Sequence, residues 1–201
     1  MELTWHGWSC FRLKGKEASV VTDPIGPASA SILSKLSPDI VTISQRMAES
    51  PAGPFRVIDG PGEYEVKSVL ITGHPSFFQG KRVGSIFRME IDDLVVCHLG
   101  QLKEPLTPSQ AESLSGVDLL FIPVAGDGES IDATKAVEMI TIIEPRMVIP
   151  MHFELGQNGV AGTPVEKFCH EIGQSVSVQP RLVVAKSSLP AETSVVLLEP
   201  R

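Results

Sequence analysis

The chain predicts a mixed α/β (α+β) fold in which two β-sheets pack face to face with helices on the outside. Three observations point there. The first third is a succession of short β-favouring runs, and the second half alternates helical with buried-strand patterns. No internal repeat or low-complexity linker separates them, so residues 1–201 read as a single domain. At 201 residues and 42% hydrophobic composition, the chain is long and apolar enough for one substantial core.

In chain order, residues 2–5, 9–13 and 17–22 are short β-runs, with Lys14-Gly15-Lys16 as the turn between the last two. Residues 29–36 suit a short helix. Residues 39–43 form a nearly continuous apolar run, the pattern of a strand buried on both faces. Further strands are expected at 55–58, 64–67, 69–72, 85–91 and 94–98, with Asp92-Asp93 as a hairpin turn. Thr107-Pro108-Ser109-Gln110 marks a helix start: Thr can cap, Pro suits the first turn, and Gln can reach back to the cap amide. Thr163-Pro164-Val165-Glu166 repeats the device. Between them Ala133, Ala136, Val137, Ile140 and Ile143 recur at helical spacing, capped by Asp132 and stopped by Glu144-Pro145. Buried strands are expected at 118–123, 147–150, 182–185 and 194–198.

Composition excludes several functions. The net charge of −7 carries no long acidic block, and no basic patch is visible, which disfavours nucleic acid and anionic membranes as partners. No run of 18 apolar residues suggests a membrane span, and the N-terminus lacks the pattern of a secretory signal. Cys10, Cys97 and Cys169 are an odd, scattered set, which fits reduced thiols in the cytoplasm better than a disulfide framework.

The segments Trp5-His6-Gly7-Trp8-Ser9-Cys10-Phe11, Thr22-Asp23-Pro24, Gly60-Pro61-Gly62-Glu63-Tyr64, Cys97-His98-Leu99-Gly100 and Ile149-Pro150-Met151-His152 carry a family resemblance. They resemble the metallo-β-lactamase fold superfamily, in its small metal-dependent hydrolase branch related to ascorbate-6-phosphate lactonases. The resemblance runs from Leu3 to about Leu198. It implies a four-layer αββα sandwich with a site at one edge, where a His-x-His-x-Asp-His loop, a later His, an Asp and a final His bind two metals. It also implies that the loop's ligand positions fall on Gln45, Met47, Glu49 and Ser50, the next histidine on Phe78, and the bridging aspartate on Gln101. Only His152 matches outright.

Counting donors shapes the functional expectation. A catalytic zinc keeps three protein ligands plus water, and a second metal needs more. Of these positions only Glu49 and His152 are ordinary ligands; amides suit hard ions weakly, and a thioether is soft. No metal or other cofactor is therefore expected, and an ion, if present, falls to Glu49 and His152. Trp8, Asp23, His74, Asp127 and Glu129 are further pocket candidates. Trp8 can fill a metal's space, and Asp23 orients the ligand loop or simply accepts backbone hydrogen bonds. Asp127 and Glu129 sit in a Gly-rich loop at the expected rim, where solvated charges are the commoner case. His74 with His98 and His152 could form a substitute triad, although spacing along the chain does not show convergence. Cys10 lacks an evident base, so it reads as a buried, inert thiol.

The expectation is a non-catalytic member of this family, binding a small molecule or assembling as a homo-oligomer. The rival is a zinc- or manganese-dependent hydrolase of an ester, lactone or phosphodiester, with a reduced or rearranged site.

Overall fold

A computed structural model describes residues 1–45, 47, 49–155, 163–174, 176 and 178–201. Along the chain run β1 (Glu2–Trp5), β2 (Phe11–Lys14), β3 (Ser19–Thr22), α1 (Ser29–Leu36), β4 (Ile40–Thr42), β5 (Arg56–Ile58), β6 (Gly62–Val66), β7 (Val69–Phe78), β8 (Lys81–Ile91) and β9 (Leu94–His98). Then come α2 (Pro108–Ser113), β10 (Leu119–Pro123), α3 (Ala133–Ile143), β11 (Met147–Met151), α4 (Pro164–Glu171), β12 (Val178–Gln179), β13 (Leu182–Val183), β14 (Ser194–Val195) and β15 (Leu197–Leu198).

Among the described residues, one sheet has the order β13-β1-β2-β3-β4-β5 and a second β14-β11-β10-β9-β8-β7-β6. The layering follows from which face each side chain buries. On β3 and β4, Val20 and Ile40 join the large core shared with the second sheet, while their neighbours Val21 and Val41 join a smaller cluster with Leu33 of α1. Alternation in a strand sends neighbours to opposite faces, so this sheet is covered on both sides. The second sheet's strands share their core with Ala136, Ile140 and Ile143 of α3 and Val165 and Phe168 of α4. The result is the expected αββα order.

Local chemistry explains the element ends. Thr107 accepts from the Gln110 amide at 3.3 Å while Gln110 reaches back to the Thr107 amide at 2.9 Å, a reciprocal cap worth about 1 kcal/mol. Asp132 accepts from Lys135 N–H at 3.0 Å at the start of α3. Asp92 and Asp93 both hold positive φ, as the tight turn between β8 and β9 requires.

Two expectations need correction. The β7–β8 hairpin runs from Val69 to Ile91, well beyond the strands expected at 69–72 and 85–91. The strand continues through Pro75 because β6 pairs with β7 only as far as Gly73, which leaves Pro75 on an edge where a missing N–H is tolerated. The run 194–198 is two strands: β14 pairs with β11, whereas β15 pairs with β12. No helix among the described residues is long and apolar enough to cross a membrane.

Candidate functional site

A cleft of about 430 Å³ opens where the β1–β2 loop, the segment after β3 and the end of β11 meet, and Trp8, Asp23, Gln45, Gln101 and His152 all line it. Its base is built on Asp23. This carboxylate, 2% exposed, accepts from Ser44 N–H at 2.6 Å and from the Ser44 hydroxyl at 2.5 Å, tying the end of β3 to the end of β4. The Ser44 carbonyl in turn accepts from Ser85 N–H at 2.7 Å, which stitches the first sheet to the second. Gly84 has no side chain for a reason here: a Cβ would lie 2.1 Å from that carbonyl oxygen.

His152 follows β11 directly. Its backbone N–H donates to Trp8 O at 3.3 Å, and the same carbonyl accepts from Trp5 Nε1 at 3.0 Å. The imidazole is 3% exposed, and neither ring nitrogen has a hydrogen-bond partner. The Trp8 ring stands edge-on to it at 5.9 Å and is itself 56% exposed. Burial pushes the His152 pKa down to about 4, against the pull of the Asp23 carboxylate; nearby His98 lowers it further and Asp127 opposes. His98 is fully buried and lies with Nε2 3.1 Å from Ser9 O. A carbonyl only accepts, so Nε2 carries the proton and Nδ1 is left unpartnered.

The backbone marks the same place. Among the described residues, positive φ at non-glycine positions falls mostly at helix ends (Ser37, Glu144) and hairpin turns (Lys67, Ser68, Gln79, Asp92, Asp93). The remaining three are Trp8 (φ 50°), Asp23 (40°) and His152 (60°), all in the cleft. Such conformations cost on the order of 1 kcal/mol or more each and persist where the surroundings impose them.

The other expected residues scatter. Gln45 bridges to Gly84 and lines the cleft. Met47 and Ser50 line a neighbouring hollow with Arg82, and Ser50 donates to Asp59 at 2.8 Å. Glu49 is exposed and lines neither, so it does not converge with His152 as a ligand pair. Phe78 ends β7 beneath the Lys103 ammonium, 5.9 Å from its ring centre. His74 sits opposite Ile86 on β7 and is not among the residues lining the cleft, so the substitute triad does not form there. Asp127 accepts from Glu129 and Ser130 N–H at 2.9 and 3.1 Å, holding its own loop. Glu129 is an exposed rim residue paired with Lys103 at 2.6 Å. Cys10 lines the cleft, but burial raises its thiol to about 12, the state of an inert cysteine.

Sequence reasoning missed Ser44, Gly84 and a small adjoining hollow lined by Ser76, Ser85 and Lys103, where both buried serine hydroxyls are unpartnered. Lys103 could have been found, two residues after Gln101. The serines carry no local signal.

Asp39–Ser50, the stretch expected to hold most metal ligands, is described except for Arg46 and Ala48. Among the described residues no three His, Cys, Asp or Glu side chains gather closely enough to hold an ion. The donor set therefore does not fit a two-metal centre: what lines the cleft is His6 and His152, two amides, the Cys10 thiol and a carboxylate engaged by Ser44, and these do not gather as an ion's ligands.

Fold and cleft together define a sandwich of the metallo-hydrolase type. The chain belongs to the beta-lactamase superfamily, whose domain model matches residues 2–152. It is 32% identical to a Thermotoga maritima protein named as a Zn-dependent hydrolase of the metallo-beta-lactamase superfamily, with TM-score 0.80 and coverage of 100% of this chain and 99% of that one. A UPF0173 protein of Pyrococcus abyssi is 25% identical over 183 residues, and a UPF0173 metal-dependent hydrolase of Thermoplasma acidophilum 24% over 189; each alignment spans 76% of this chain and 83% of the relative. These names overturn the expectation that no cofactor is involved: relatives named as metal-dependent and Zn-dependent hydrolases point to a metal, often zinc. The sequence argument counted the donors of one motif, which bounds how many ions that motif can hold and not whether the family uses one.

Proposed function

We propose that this member of a metal-dependent hydrolase family uses the cleft at His152 to bind a small molecule, without the family's two-metal hydrolysis. The observation that carries the reading is His152 itself: a buried imidazole, both nitrogens unpartnered, held at positive φ at the base of a cleft lined mainly by apolar side chains. Buried polar groups are ordinarily satisfied, so an unsatisfied one facing a cavity calls for a ligand or water. The loss of donors from Gln45, Met47, Ser50, Phe78 and Gln101 supports binding over turnover, because hydrolysis needs enough metal charge to turn water into hydroxide near neutral pH.

The relatives' names favour a second reading, a metal-dependent hydrolase of an ester, lactone or phosphodiester with a rearranged site. One experiment separates the two. Protein purified without chelator is analysed for metal, then assayed with p-nitrophenyl acetate and bis(p-nitrophenyl) phosphate with and without chelator. In parallel, small acids, amides, esters and lactones are screened for thermal stabilisation of wild type and His152→Asn. Stabilisation lost in the variant, without chelator-sensitive turnover, supports binding; metal-dependent turnover establishes the second reading. The three free thiols suit a cytoplasmic location. Self-association as a homo-oligomer belongs to the same proposal, and a monomer at every dilution in light scattering would remove it.

A further inference from the structure

The chemistry of the cleft wall narrows the ligand class, an inference that rests on the binding reading above. Among the described residues no lysine or arginine lines the cleft. Its one carboxylate, Asp23, already accepts two hydrogen bonds from Ser44. The remaining polar groups lining it include the Gln45 and Gln101 amides and the imidazoles of His152 and of His6, the latter already 3.2 Å from the Thr4 hydroxyl; each can both donate and accept when uncharged. An anion would find no counter-charge there, and a cation would find a carboxylate already engaged; either would lose its hydration for little return.

The apolar part has its own shape. Trp8, Ile25, Pro27, Ala28 and Ile32 supply apolar lining, and Trp8 is more than half exposed. The Trp8 and His152 rings stand perpendicular, at 84° and 5.9 Å, so the exposed indole and the imidazole border the same space. A flat ring can therefore pack against Trp8 while reaching His152 with a polar edge. A volume of about 430 Å³ accommodates a one- or two-ring molecule and excludes a polymer.

We propose that the His152 cleft recognises a small, uncharged, planar molecule that presents an amide-type donor and acceptor side by side. The ring packs on Trp8, and the amide edge satisfies His152 together with Gln45 or Gln101.

Matched probes test this on the full chain: benzamide, benzoate and benzamidine are nearly isosteric but neutral, anionic and cationic, and nicotinamide with nicotinate gives a second pair. Binding is read from amide shifts in ¹⁵N-labelled protein and from Trp8 fluorescence, with Trp8→Phe separating it from buried Trp5. Benzamide is expected to bind at least about tenfold more tightly than either charged analogue, and His152→Asn to lower its affinity about tenfold. Asn tolerates positive φ, so the variant should keep the fold, which its melting temperature checks. Preferential binding of benzoate or benzamidine overturns the neutral class while leaving the cleft a binding site. Unchanged benzamide affinity in His152→Asn overturns the assignment to this cleft. If no probe binds but a compound from the wider screen does, the ligand class is wrong and the binding reading stands; if nothing binds at all, both fall.

Discussion

Two regions meet at the cleft and differ sharply in how they are held. On one side Asp23, Ser44, Ser85 and Gly84 form a closed set of short hydrogen bonds and tight backbone contact joining both sheets. On the other, beginning three residues after Ser44, Met47, Glu49 and Ser50 are exposed. The groups that join the sheets are thus not the groups at which the family's loop motif would place its ligands, so frame and loop can be altered separately.

That contrast can be broken by mutation. The largest effect is expected from Gly84→Ala, whose Cβ would collide with the Ser44 carbonyl; a loss on the order of 4 kcal/mol, or failure to fold, should appear in denaturant titration. Asp23→Ala strands the Ser44 N–H and hydroxyl in a buried site and should cost about 3 kcal/mol by the same measurement.

The pH dependence sharpens it further. His152 has its pKa lowered to about 4 from 6.5 in the unfolded chain, so between those values the unfolded state binds more protons. Stability is thus complete above about pH 6.5, falls as pH drops toward 4, and loses no more from this group below it. Between pH 6.5 and 5 the imidazole should account for about 2 kcal/mol, a dependence that His152→Asn removes. An equal slope in the variant would assign the effect elsewhere. The smallest changes are expected in the loop: Met47→Ala and Glu49→Ala should each shift stability by no more than about 0.5 kcal/mol. A large loss at either would show that the loop braces the cleft after all.

Much of the frame was legible in the sequence because its signals are local. Helix α1 spans the expected residues 29–36, and α3 starts and ends where the Asp132 cap and the Glu144-Pro145 stop place it. The far half of the β7–β8 hairpin was not legible, since Pro75 is acceptable only on an edge and edges are a tertiary property. The candidate site divides in the same way. Trp8, Asp23, Gln45, Gln101 and His152 line one cleft, whereas Glu49 and His74 stand apart from it. Nothing in the chain order reveals that Ser44 occupies both Asp23 oxygens, or that His152 is left with two unpaired nitrogens.

Zinc titration by equilibrium dialysis, on wild type and His152→Asn, tests most directly whether this cleft can hold a hydroxide-generating pair of ions. A lining of His6, His152, two amides and an engaged carboxylate predicts at most one equivalent per chain, lost in the variant, with no chelator-sensitive hydrolysis. Two tightly bound equivalents accompanied by such hydrolysis would contradict it.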